Sequence, residues 1–170
     1  IRIIAGEEEA KLSFLGSSEN KKAVVLDIGG GSTEVIAGIG DDLLFSKSFN
    51  IGAVRLTERF DLNNKQAQLE AASNYVKEQF ATIEIESSFS PIAVAGTPNT
   101  MAMMHLGLKE YSREKLHNYK FLLEDISEVR RIIQSKSAAE LINDYNVHPN
   151  RADIILGGAI ILEEFVRSFN

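Results

Sequence analysis

Between two β-like runs the chain reads Asp27-Ile28-Gly29-Gly30-Gly31-Ser32-Thr33-Glu34. Consecutive glycines let a backbone come close to a ligand and aim successive amide N–H groups at one point, which suits a phosphate oxygen. Ser32 and Thr33 add hydroxyl donors. Asp27, at the exit of its strand, faces the same place and is placed to hold Mg2+ directly or through water. A Walker loop is excluded because no lysine follows the glycines. A dinucleotide fingerprint is excluded because Glu34-Val35-Ile36-Ala37-Gly38-Ile39 reads as another strand where that motif needs a helix. The bland alternative is a glycine-rich hairpin turn, but three glycines exceed what a two-residue turn requires.

A second candidate is Ala95-Gly96-Thr97, where a strand gives way to a helix and leaves free N–H groups and the positive dipole end at the strand tip. Taken alone it reads equally as an N-cap. A third is Glu7-Glu8-Glu9, either a dipole-favoured first helical turn or, if one carboxylate faces a cleft, a general base or metal ligand. His105, His117 and His148 are too irregularly spaced for a metal pair and read as surface or capping residues. Met101, Met103 and Met104 read as core filler, and Arg130-Arg131 as a solvated helix face.

These residues need a scaffold. The spacing predicts an opening helix over 6–15, a loop over 17–22, and a meander of strands over 23–28, 34–39 and 43–49. A short helix over 53–60 and a longer one over 65–83 follow, the latter with Leu69, Ala72, Val76, Phe80 and Ile83 on one face. A strand is expected over 91–95, a helix over 101–106, a further strand near 116–122, and a helix carrying Ile126, Val129, Ile132 and Ile133. Ser137 and Glu140 form a capping box for the next helix. The stretch 149–169 is helical and apolar nearly all round between Ile154 and Leu162, so it should be buried; Gly157-Gly158 within it implies close packing on a neighbour. Strands in a meander, then helices interleaved with single strands, make a layered α/β domain.

Composition bounds the rest. The 170 residues fit one domain, 1–170, and a formal charge of −6 excludes a general electrostatic affinity for DNA. The absence of cysteine excludes disulfides, thiolate zinc and iron–sulfur centres. No apolar run approaches the ~20 residues of a membrane helix, so no membrane partner is expected and the cytoplasm is the expected setting. The first residue is Ile1, so a piece of a longer protein is expected.

Gly6-Glu7-Glu8-Glu9-Ala10 followed by Val25 to Glu34 resembles the exopolyphosphatase and guanosine pentaphosphate phosphohydrolase family (Ppx/GppA). Gly52-Ala53-Val54-Arg55-Leu56-Thr57, Ala95-Gly96-Thr97, and Arg151-Ala152-Asp153 leading to Gly158-Ala159 match in the same order. The resemblance implies an actin-like, ribonuclease H-like α/β domain whose mixed sheet is flanked by helices. It implies hydrolysis of the terminal phosphate of polyphosphate or pppGpp with water and Mg2+. By motif position Glu9 is the catalytic base, and Asp27 and Glu34 serve metal and water. Gly29, Gly30, Gly31 and Ser32 form one phosphate loop, and Gly96 and Thr97 a further turn. Arg55 is either a helper to the phosphate or a surface arginine. The family's active site lies between two related halves, and the first half's Asp-Gly-Ser-type loop is absent, so this chain is expected to be the second half, weakly active or inactive alone. A homodimer through the bare cleft face is left open. So are a non-catalytic module that binds polyphosphate or (p)ppGpp and half of an actin-like ATPase or sugar kinase.

Overall fold

Four strands form one mixed sheet: β1 (Ala23–Ile28), β2 (Thr33–Ile39), β3 (Asp42–Phe49) and β4 (Ser90–Val94), in the order β3-β2-β1-β4. The computed structural model describes residues 6–64, 68–86 and 88–169. β1–β2 and β2–β3 are antiparallel, as the glycine and Gly-Asp punctuation predicts, and β4 returns parallel to β1. The helices are α1 (Gly6–Ser18), α2 (Ala53–Arg59), α3 (Leu69–Phe80), α4 (Gly96–His105), α5 (Arg113–Leu116), α6 (Leu123–Ser135), α7 (Ala138–Tyr145), α8 (Pro149–Ala152) and α9 (Ile155–Ser168).

Side chains alternate across the sheet and so build two separate apolar clusters. Val24, Leu26, Ile28, Val35, Ala37 and Phe49 face the large core, where α2, α3, α4, α6 and α9 assemble. Ala23, Val25 and Ile36 face the other way and are covered by Phe14 of α1, with Ala10 and Leu15 beside it. The mixed sheet is therefore flanked by helices on both faces. Among the described residues no helix is long and apolar enough to cross a membrane.

α9 is the spine of the larger core. Ala159, Ile160, Ile161 and Phe165 are wholly inaccessible, and each large apolar side chain so buried contributes roughly 1.5–3 kcal/mol. Its glycine pair is explained by close approach: a Cβ at Gly157 would lie 2.5 Å from the Ala53 carbonyl oxygen, and one at Gly158 would lie 2.4 Å from Thr97 Oγ1. The same helix buries Glu163, whose Oε1 accepts from Ser127 Oγ at 2.6 Å and from Arg167 at 2.7 Å. Arg130 Nε lies 3.0 Å from Oε2, a charge contact without an aligned hydrogen bond. Burial pushes the Glu163 carboxyl up, but the two hydrogen bonds and the two guanidinium charges outweigh it and hold it below the usual carboxylate range. Arg130, expected on a solvated face, is thus turned inward because a buried carboxylate needs a counter-charge.

Other expectations are corrected at the level of single elements. The strand expected over 116–122 does not form. Leu116 ends α5, Asn118 takes a left-handed φ of 59°, and Phe121 stacks on the His105 ring at 5.4 Å while Tyr119 Oη meets His105 Nδ1 at 2.8 Å. α1 continues through Ser18 into the expected loop, and α3 is shorter than predicted, with residues 65–67 outside the described residues. α4 starts at Gly96 instead of Met101, and the stretch 149–169 divides into α8 and α9. The Ser137–Glu140 capping box forms, and His148 caps α8 by accepting from the Asn150 N–H.

Candidate functional site

The glycine loop is held from behind. The N–H groups of Ala53 and Val54 donate to the carbonyls of Gly29 and Gly30 at 2.9 and 3.0 Å, and Arg55 N–H shares the Gly30 carbonyl at 3.1 Å. Arg55 Nε–H donates to the Gly31 carbonyl at 2.8 Å. The first amides of α2, which a helix leaves without internal partners, are thereby satisfied by the loop. With its carbonyls turned to α2, the loop keeps the N–H groups of Gly30 and Gly31 for an outside acceptor; among the described residues neither has a partner. Gly29 N–H instead closes the turn on the Ser32 carbonyl at 2.9 Å. Gly52 must lack a side chain, since a Cβ there would sit 2.4 Å from the Gly30 carbonyl oxygen.

The second loop meets the first. β4 ends at Val94, Ala95 adopts φ 73° and ψ −156°, and α4 begins at Gly96 with its leading N–H groups at the strand tip. That backbone region is nearly glycine-only. Thr97 is buried, and Thr100 Oγ1 donates to the Gly96 carbonyl at 2.8 Å. The Arg151 guanidinium lies directly over Gly96, so close that a Cβ would be 2.6 Å from its carbon. Gly29, Gly30, Gly96, Thr97 and Arg151 line one cavity of about 210 Å³, floored by Ile28, Ala53, Ile154 and Ile155. It is smaller than the ~300–1,000 Å³ of drug-sized pockets. Positive dipole, amide donors and a guanidinium on an apolar floor make a site for a small anion.

The carboxylates occupy the other face of the sheet. Asp27 and Glu34 are direct antiparallel partners, so their side chains share a face. Glu34 Oε1 accepts from Ser48 Oγ at 2.8 Å, and α1 covers the same face. Glu9 lies in α1, but its side chain is outside the described residues. The predicted set is thus divided: Gly29, Gly30, Gly96 and Thr97 share the cavity, Gly31 and Ser32 complete the loop, Arg55 clamps it, and Asp27 and Glu34 lie across the sheet, on the α1 face. Mg2+ takes one or two carboxylates plus substrate phosphates, and Asp27 with its strand partner Glu34 is the pair of carboxylates that would hold one. Among the described residues no group of three or more His, Asp or Glu forms a self-sufficient metal cage. Arg151 is the site residue that sequence reasoning missed. Its signal was present in the Arg-Ala-Asp match, yet only the fold carries it across to Gly96.

An α/β sheet with two loops converging at the carboxyl end of its central strand belongs to the class that binds ligands at strand ends. The chain belongs to the Ppx/GppA phosphatase family, which it matches over residues 1–170. It is 34% identical to the bifunctional 3-dehydroquinate synthase/phosphatase of Fusobacterium nucleatum over 183 residues, covering 99% of this chain and 27% of that one. It is 32% identical to Exopolyphosphatase 2 of Mycobacterium tuberculosis over 176 residues, covering 97% of this chain and 55% of that one. The Aquifex aeolicus Ppx/GppA phosphatase (type II variant) superposes with a TM-score of 0.90 at 22% identity, over 98% of this chain and 57% of that one. The chain therefore spans about half or less of the relatives it matches, and its mixed α/β fold is theirs.

Proposed function

We propose that residues 1–170 form the second half of a two-part phosphohydrolase core that releases terminal phosphate from inorganic polyphosphate or pppGpp, using water and a divalent cation. The observation that carries this reading is the convergence of Gly29–Gly30, Gly96–Thr97 and Arg151, from three distant parts of the sequence, on one small cavity. Phosphoryl transfer asks mainly for positioning and charge neutralisation. The free amides of Gly30 and Gly31, the α4 N-terminus and Arg151 receive phosphate oxygens, so an acidic chain handles a polyanion through local positive potential. Arg55 keeps the loop in shape and leaves its terminal amino groups for the same anion. Asp27 and Glu34 would hold the cation, whose chemistry is to neutralise phosphate charge and acidify water. Glu9 orients and deprotonates the attacking water.

The test is phosphate release from polyphosphate and from pppGpp with Mg2+, in the full-length protein that contains this chain. Glu9→Gln is expected to lower kcat by roughly 10²-fold or more with KM nearly unchanged. Full turnover in that variant sinks the assigned base. A wild type that binds either substrate and releases nothing is a binding module, and preference for ATP over both points to an actin-like ATPase.

A further inference from the structure

The glycine pair of α9 is not part of the cavity lining, yet it abuts the supports of both loops. Gly157 presses on α2 at the Ala53 carbonyl and Thr57 Oγ1, and α2 holds the carbonyls of Gly29, Gly30 and Gly31. Gly158, one residue on, presses on Thr97 in the first turn of α4. From these contacts we infer that Gly157 and Gly158 are positioning residues that set the separation between the two anion-binding loops, and thereby fit the cavity to adjoining phosphoryl groups of an oligophosphate. This rests on the functional reading above and adds the element that fixes its geometry.

The argument is steric. A methyl at Gly158 would lie 2.4 Å from Thr97 Oγ1 and 2.8 Å from its Cγ2, where ordinary contact begins near 3.4 Å. Relief requires about 1 Å of movement. α9 is packed by α2, α3, α4 and α6 together, so it has no free direction, whereas the first turn of α4 ends in an open cavity. The displacement therefore goes into the site. At Gly157 the obstacle is the Ala53 backbone itself, which carries the glycine loop with it.

The experiment measures tripolyphosphate affinity by calorimetry and phosphate release with Mg2+ in the full-length protein, for wild type, Gly157→Ala, Gly158→Ala and Ala159→Gly. Ala159 is buried on the same helix, so its variant loosens α9 without changing the loop spacing. The expected result is a roughly tenfold to hundredfold weaker Kd and higher KM in both alanine variants, as follows from a 1 Å misplacement, and near wild-type values in Ala159→Gly. Equal affinity in all four proteins overturns the inference, as does an equal loss in Ala159→Gly, which makes the glycines merely structural. If Gly158→Ala does not fold, the double variant Thr97→Ala/Gly158→Ala removes the clashing atoms; it should fold with the Kd of Thr97→Ala alone, and a much weaker Kd overturns the inference. A wild type that binds tripolyphosphate without turnover refutes the phosphohydrolase reading while the spacing is still judged from affinity. A wild type that binds none refutes both.

Discussion

Ala95→Gly should make the protein more stable, although it deletes a side chain. Ala95 sits at φ 73° and ψ −156°, a region that costs a residue with a Cβ about 1–3 kcal/mol. Glycine relieves that strain and loses roughly 0.5–1 kcal/mol through the greater freedom of its unfolded chain. The Ala95 methyl is exposed, so little packing is forfeited. The balance is a gain of up to about 2.5 kcal/mol, or as much as roughly 10 °C in Tm for a domain of this size. Urea unfolding followed by far-UV circular dichroism reads it as a higher midpoint with an unchanged m-value. A lower midpoint would refute the reasoning, because it would mean that Ala95 is not strained or that its methyl packs. Held in this conformation, the strand tip fixes where the α4 amides point, so tripolyphosphate affinity should fall as stability rises.

Gly96→Ala should lower affinity without the change in stability: the new methyl displaces the flexible end of Arg151, so the urea midpoint stays within experimental error while anion affinity measured by calorimetry drops about tenfold. Glu163→Gln should cost about 2 kcal/mol at neutral pH, less than a fully enclosed pair would, because Arg167 is half exposed. The folded-state pKa of Glu163 lies below its ordinary value of 4.5, so its contribution is complete above that value and is lost as pH falls through the depressed one. The variant should therefore show a shallower loss of stability below pH ~4.5 in an acid titration of the urea midpoint. Ser137→Ala removes the Oγ that accepts from the Glu140 N–H, while the residue-137 N–H still donates to Glu140 Oε2, and should lower stability by about 1 kcal/mol, read in the same unfolding assay.

The sheet was legible because its punctuation is local: Gly29–Ser32 and Gly40–Asp42 mark two reversals, β1 and β2 are rich in valine and isoleucine, and β3 alternates Leu43 and Phe45 with polar or exposed neighbours. α9 was legible because an apolar run with no polar face has nowhere to go but inside. The strand expected over 116–122 failed because Leu116, Tyr119 and Phe121 mimic a strand's spacing, while His105, distant in sequence, recruits both rings into a stacked cluster. Arg130 was misplaced for a similar reason: its partner Glu163 is 33 positions away. In the candidate site, the glycine loop announced itself by composition. The role of α2 as its clamp did not, since the main-chain hydrogen bonds from residues 53–55 to the carbonyls of Gly29 and Gly30 leave no trace in side-chain types. Arg151 comes to Gly96 only because α8 and α4 meet at the strand tips.

The two apolar clusters differ greatly in size. α1 is fastened to the sheet by one wholly buried aromatic, Phe14, over Ala23, Val25 and Ile36, whereas α9 lies in a core that draws buried side chains from seven helices, itself included. Cooperative opening follows the weaker seam. In amide hydrogen exchange α1 should lose protection as a unit at a lower free energy than β1 or α9, while the glycine loop and the α4 N-terminus stay assembled. Detachment of α1 would carry the Glu7–Glu9 turn away from the sheet and leave the anion cavity intact. Under the proposed function, filling of the anion cavity and presentation of the acidic turn are then two separately governed events.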